Sequence, residues 1–457
     1  MPNVRKKNPN LLFILSDQHR FNVWGKYNNA VDTPNLDRLA AQGTTFHHDY
    51  TVAQPCVPSR VSLLTGRYAE LHRVWRNDEC LPPIETTWAD VLHRFGYQTL
   101  AVGRTHNIHQ GFEAVRVPYG DSFPMIDYSD VHQIPWGPQG IIAPSPVDVQ
   151  DYYETRVART AVELLEDVSR NQPFAMYVGF QIPHPPFVIP EPFHSMYRPE
   201  DMILEPNAKP PRSENIARMV DRDFGRHLTE DAQRKMQAVY YGMVSLLDAS
   251  IGIILDGLKR LGLEENTLVV YTSDHGEQMG HRGLWNKGYG YDASFRVPLL
   301  MSRPGTVPAG RDCEAMVESV DLFPTILDAL DIPEASRPAG RSGRSFWDLV
   351  ESGEEQPHRD WVYGSVSNGR GRIYRDANWK LWYETERSGT IAKLYNLVDD
   401  PHELHNVFDE ESCRATRDGL LRKLLDFSLT SLQETASVLY PDGKQEPGFN
   451  SQFRTRT

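Results

Sequence analysis

Four short apolar runs, residues 11–15, 99–102, 174–178 and 268–271, lead almost directly into polar groups: Asp17-Gln18, Arg104-Thr105-His106, His184 and Asp274-His275. Runs this short and apolar read as strands buried on both faces. Between them, residues 87–95, 151–168, 231–261 and 320–330 carry the apolar spacing of helices. A further helix opens at Thr33-Pro34, with Thr33 as its cap, Pro34 in its first turn and Gly43 past its end. Strands alternating with helices define an α/β fold, here a large mixed, mostly parallel sheet sandwiched by helices. Ligands of such sheets bind just outside the carboxyl ends of the strands, so the four polar groups are expected to converge on one site.

At 457 residues the chain is too long for one ordinary core. From about residue 351 a Gly- and charge-rich stretch leads into short alternating segments at 372–374, 379–383 and 393–397, followed by a helix over 413–427. These predict a small C-terminal subdomain, an antiparallel sheet plus helix. The expected division is 1–354 for the large α/β domain and 355–457 for the subdomain, whose tail from 441 to 457 reads as a polar arm or disordered.

The formal net charge of -13 argues against a nucleic-acid partner, because phosphate backbones require a basic surface. An anionic substrate would have to be held by local cations and a metal. The apolar run at 11–15 is far short of a leader's apolar core, so the cytoplasm is the expected compartment and no membrane partner is expected. Cys56, Cys80, Cys313 and Cys413 make neither a disulfide framework nor a CxxC zinc pair.

Residues 56–67 predict one more helix, with Pro58 in its first turn, Leu63 and Leu64 on its apolar stripe and Gly66 at its end. Cys56 then lies at a helix N-terminus, where free N–H groups and the dipole favour an anionic nucleophile and an anionic ester. Taken alone, such a Cys is a buried structural thiol.

The run Cys56-Val57-Pro58-Ser59-Arg60, with Leu64-Thr65-Gly66-Arg67 after it, resembles the signature of the type I, formylglycine-dependent sulfatases of the alkaline phosphatase-like superfamily. Pro183-His184-Pro185-Pro186, Thr272-Ser273-Asp274-His275-Gly276-Glu277 and Lys287 are similar to further elements of that family, as are Trp379-Lys380-Leu381 and Leu394-Tyr395-Asn396-Leu397. The resemblance implies that a formylglycine-generating maturation enzyme oxidises Cys56 to Cα-formylglycine. Its hydrate would attack the sulfur of a sulfated small molecule or saccharide, within a cleft belonging wholly to the first domain.

Asp17, Gln18, Asp274 and His275 offer hard oxygens and one imidazole to a divalent ion, with the modified residue 56 completing the shell. Such a set suits calcium, magnesium or manganese, and the imidazole tilts it towards manganese. The family's usual ion is Ca2+, which makes Ca2+ the expected metal and Mn2+ the alternative, because many relatives carry Asp and Asn where Gln18 and His275 stand. Arg60, Arg104 and Lys287 are the candidate cations for the ester, and Arg60 would also acidify the attacking hydroxyl. His184 is the expected proton donor to the leaving alcohol, and His106 the base that releases the covalent sulfate. Arg104 replaces the family's usual Lys and is read as substrate-binding, since a guanidinium does not give up its proton.

The stretch Pro183-His184-Pro185-Pro186-Phe187, with Met196-Tyr197 and Glu200-Asp201-Met202, also resembles phosphonate monoester and phosphodiester hydrolases of the same superfamily. Those enzymes have neutral residues at the basic pair, whereas Arg104 and His106 keep the pocket cationic and favour sulfate. His109, His281, Arg73 and Arg76 read as solvated surface or local caps, while Trp75, Tyr289 and Tyr291 suit stacking or core packing equally. Residues 107–148 and 188–223 are expected to wall the pocket, and the C-terminal arm suits a homo-oligomer.

Overall fold

The structure, a computed structural model, describes residues 8–118, 142–205, 228–386 and 389–439. In chain order the first strands are β1 (Asn10–Asp17), β2 (Thr44–Tyr50), β3 (Gln98–Gly103), β4 (Ala114–Arg116) and β5 (Ile142–Pro144). There follow β6 (Phe174–Pro183), β7 (Phe187–Ile189), β8 (Thr267–Ser273), β9 (Arg296–Ser302) and β10 (Arg311–Glu318). An eight-stranded sheet has the order β10-β2-β9-β8-β1-β6-β3-β4, in which β9 alone is antiparallel to its neighbours.

The four strands expected from the apolar runs are the central ones. Leu100 pairs with Met176, Met176 with Leu12 and Leu12 with Val269, so β3, β6, β1 and β8 run level and end on one edge. That edge carries all four polar groups. Every residue of β1 is buried, and its side chains alternate between two cores. Leu12 and Ile14 join the core that includes helices Tyr153–Asp167 and Glu230–Arg260, while Leu11, Phe13 and Leu15 join the one containing helices Cys56–Thr65, Trp88–Arg94 and Leu322–Ala329. Strand polarity on neither face explains why the sequence reads as continuous apolar runs.

Thr33 does not cap helix Pro34–Ala41 as expected. Its Oγ1 accepts from the Gly25 N–H at 2.7 Å, and the carboxylate of Asp248 takes the N–H groups of Asn35 and Leu36 instead. An anion imported from another helix serves the same free donors and also ties the two helices together. Glu230–Arg260 is long and apolar enough to cross a bilayer, but it is packed into the core beside the sheet.

The second sheet is wholly antiparallel, in the order β11 (Trp361–Val366), β12 (Gly371–Asp376), β13 (Trp379–Glu386) and β14 (Gly389–Asn396). Helix Arg414–Leu439 covers it through Leu420 and Leu424. Lys380 of β13 is fully buried between Asp292 and Glu403, and Asp292 belongs to the segment leading into β9. A buried ion triad thus fixes the small sheet against the large one. The expected arm at 441–457 lies outside the described residues.

Candidate active site

Asp17 and Gln18 end β1, Arg104 and His106 follow β3, His184 follows β6, and Asp274 and His275 follow β8. Cys56 reaches the same edge as the first residue of its helix, which Gly66 closes in the left-handed conformation at φ 66°. The Val57 N–H at this helix start is taken by Asn77 Oδ1 at 3.0 Å.

Arg60, one turn along the helix, is wholly buried and bridges the two acids. Its Nη2 donates to Asp17 Oδ2 at 3.0 Å and its Nε to Asp274 Oδ2 at 2.9 Å. Nη1 donates to the Arg104 carbonyl at 2.8 Å and to the Tyr177 hydroxyl at 3.0 Å. Four of its five N–H groups are therefore bound within the protein. Arg60 acts on the site chiefly as a clamp, turning both Oδ2 atoms one way and leaving both Oδ1 atoms on the other.

Those Oδ1 atoms face Cys56 and His275. Cys56 Sγ lies 3.6 Å from Asp17 Oδ1 and 3.2 Å from His275 Nε2. His275 Nδ1 is held by the Gly276 carbonyl at 3.0 Å, so in the neutral ring Nε2 presents its lone pair. The ligand atoms of Asp17, Cys56, Asp274 and His275 all lie within 4.8 Å of one another. Gln18 Oε1 accepts from Lys287 Nζ at 2.5 Å. The two buried carboxylates, the Cys56 position and the His275 lone pair point towards one another, and the donors are hard oxygens plus one imidazole. This set fits a hard divalent cation.

The electrostatics agree with that reading. Burial alone would raise the Asp17 carboxyl, but His184, the His106 contact and Arg60 carry it well below the usual carboxylate range. Burial, reinforced by the Asp17 charge, pushes the Cys56 thiol up to about 12, leaving it neutral at neutral pH when no cation is beside it. His106 Nε2 is 3.3 Å from both Asp17 Oδ2 and Arg104 Nε, and burial together with Arg60 lowers its pKa to about 4. The His106 ring is accordingly neutral at neutral pH. His184 Nδ1 is 2.6 Å from the Pro185 carbonyl, and burial with Lys287 nearby lowers its pKa to about 3.

Sequence reasoning did not find Tyr177, Gln54, Asn286 or a role for Glu277. Glu277 lies inside a motif already noted, yet only the structure shows its carboxylate on the Gln18 amide. Gln54, two residues before Cys56, accepts from the Gly288 N–H at 2.7 Å and donates to the Ser294 carbonyl at 2.9 Å, joining the Cys56 loop to that of Lys287. The site residues named above all lie within residues 1–354, and the small sheet meets the segment that leads into Cys56. Ser365 of β11 donates its N–H to Val52 at 2.9 Å and accepts from the Gln54 N–H at 3.1 Å, and Arg372 of β12 lies over the Trp75 ring. The small sheet thus buttresses the segment that delivers Cys56.

His109 is exposed and bonded to Thr105, while Arg73 and Arg76 are exposed, as expected of surface groups. His281 is buried against Tyr291, and Tyr291 is core rather than a stacking surface. Residues 119–141 and 206–227, within the expected pocket walls, lie outside the described residues.

An α/β sheet that gathers two carboxylates, an imidazole, a helix-borne cysteine and several cations at one strand edge defines a hydrolase of anionic esters of the alkaline phosphatase-like kind. The chain matches the family model described as Sulfatase over residues 9–332, and that of the N-sulphoglucosamine sulphohydrolase C-terminal region over residues 280–430. It belongs to the sulfatase family and is a sulfuric ester hydrolase. It is 27% identical to Arylsulfatase K of Danio rerio, over 93% of this chain and 85% of that protein. It is 28% identical to an arylsulfatase of Clostridium perfringens, over 96% of this chain and 97% of that one. Among solved structures, the phosphonate monoester hydrolase of Agrobacterium radiobacter superposes with a TM-score of 0.77 at 25% identity, covering 93% of this chain and 96% of that one.

Proposed function

We propose that this enzyme cleaves a sulfate monoester with Cα-formylglycine at position 56, made from Cys56 by a maturation enzyme, and with one divalent cation held by Asp17, Gln18, Asp274 and His275. The observation that carries the reading is the position of Cys56 Sγ among Asp17 Oδ1 and His275 Nε2, inside the ligand cluster. A hydrated aldehyde there supplies two oxygens on one carbon, and the cation supplies positive charge against the ester oxygens. Ca2+ is our first choice by family habit and Mn2+ the alternative by the donors present.

The chain's own groups take the remaining work. Arg60 holds both carboxylates in register, while Lys287 and Arg104 bind the anionic ester. His184 gives a proton to the leaving oxygen: an anion beside Nε2 favours the imidazolium and opposes the burial that lowers its pKa. His106, neutral beside Asp17, takes the proton whose removal releases sulfate. The substrate is a sulfated small molecule or saccharide.

The structural likeness to a phosphonate monoester hydrolase supports a second reading, in which the same site cleaves phosphonate monoesters or phosphodiesters. Comparison of kcat/KM for matched aryl sulfate, phosphodiester and phosphonate esters tests the choice. The proposal expects the aryl sulfate to be turned over best, and a higher value for either phosphorus ester overturns it.

A further inference from the structure

We infer that Glu277, assisted by Asn286, is a positioning residue that decides which end of the Gln18 amide faces the metal-ligand cluster, an inference that rests on the metal reading above. An amide presents oxygen at one end and two N–H groups at the other, and only the oxygen can ligate a hard cation. Density of contacts around Gln18 leaves little freedom elsewhere. The residue is fully buried, its backbone is left-handed at φ 70°, and its N–H donates to Asp274 Oδ1 at 3.1 Å.

The amide nitrogen donates to the Glu277 carboxylate and to Asn286 Oδ1, the latter at 3.2 Å. Both hydrogens thus have acceptors on the side away from Lys287. The oxygen accepts from Lys287 Nζ at 2.5 Å and keeps a second lone pair for a cation.

Glu277 enforces this orientation because it can only accept. Its Oε1 takes the N–H groups of Met279 at 3.0 Å and Asn286 at 2.5 Å, and its Oε2 takes Gln18. Turning the Gln18 oxygen towards it would bring two acceptors together and leave the amide N–H groups facing the Lys287 ammonium.

Replacing the carboxylate by an amide reverses the logic. In Glu277→Gln the single oxygen is claimed by the two backbone N–H groups, and its NH2 faces position 18. The Gln18 amide then inverts and presents N–H groups to the cluster. The exchange Gln18→Glu with Glu277→Gln restores an oxygen at both ends of residue 18 and conserves the net charge.

Manganese(II) titrated into metal-free full-length protein, with free ion followed by electron paramagnetic resonance, tests the inference, and melting in chelator reports folding. Glu277→Gln is expected to bind manganese roughly 10- to 100-fold more weakly than the native protein, as is usual when a ligand's orienting partner is lost. The exchange variant is expected to recover most of that loss. Asn286→Ala, which removes one acceptor and leaves Glu277, is expected to weaken binding by less. Native affinity in Glu277→Gln, or no recovery in a folded exchange variant, overturns the inference while leaving the metal reading intact. A native protein that binds no manganese and no calcium removes the metal reading, and this inference with it.

Discussion

Cys56 Sγ stands 3.2 Å from His275 Nε2, and the other nitrogen of that ring is tied to the Gly276 carbonyl. The backbone bond selects the tautomer, so the lone pair, not a proton, faces residue 56. Residue 56 therefore shares a pocket with an imidazole lone pair and the Oδ1 atoms of Asp17 and Asp274. Acceptors crowd together in this way when a cation completes them.

Chelation should lower both activity and melting temperature, and added Mn2+ or Ca2+ should restore them. Ligation of the folded state alone contributes about 2.7 kcal/mol at a hundred times the dissociation constant. Melting curves that respond to neither chelator nor cation would contradict the metal site.

Arg60→Met should destabilise the protein by about 3–5 kcal/mol, because Asp17 and Asp274 lose the charge they share. Urea denaturation in chelator measures this. A loss below about 1 kcal/mol, the scale of a surface pair, would mean that the clamp carries little of the site's integrity.

His184→Ala should cost about 10²- to 10⁴-fold in kcat for alkyl sulfates, the usual contribution of a general acid. Aryl sulfates with acidic leaving groups should suffer much less. Equal losses for the two ester types would remove His184 from that role.

His72 predicts an acid instability. The buried ring accepts from the Val74 N–H at 3.1 Å and bonds Ser62 Oγ at 2.9 Å, and burial, with Arg67 nearby, lowers its pKa to about 3. The folded state then refuses a proton that the unfolded chain binds near pH 6.5, so the contribution to stability is full above that pH and falls as pH drops towards 3. One such group costs about 2 kcal/mol between pH 6.5 and 5. Urea midpoints should show a shallower acid slope in His72→Gln, and an unchanged slope would refute the assignment.

The central fold was legible because β1, β3, β6 and β8 are buried on both faces and so appear as uninterrupted apolar runs. Strand β2 was not, since in Thr44-Thr45-Phe46-His47-His48-Asp49-Tyr50 the polar Thr44, Thr45 and Asp49 are buried like apolar residues while His47 and His48 are half-buried, so no apolar run appears. Strand β9 contains Pro298, which argues against a strand until its place among neighbours is seen. Strand β11 lay in a stretch judged by its Gly and charge content. At the site, strand-end residues and the cysteine motif announced themselves by position. Tyr177 and Glu277 did not, because a hydroxyl within an apolar strand or a carboxylate at the end of a motif acquires meaning only from what lies across the fold.

The most direct test is the mass of the peptide containing residue 56, from protein produced with a formylglycine-generating enzyme, measured beside the sulfatase activity of the same sample. The account predicts activity in proportion to the fraction carrying the aldehyde, and at least a thousandfold loss in Cys56→Ala, on the order seen when a nucleophile is removed. Full activity from protein whose residue 56 retains an intact thiol would contradict it.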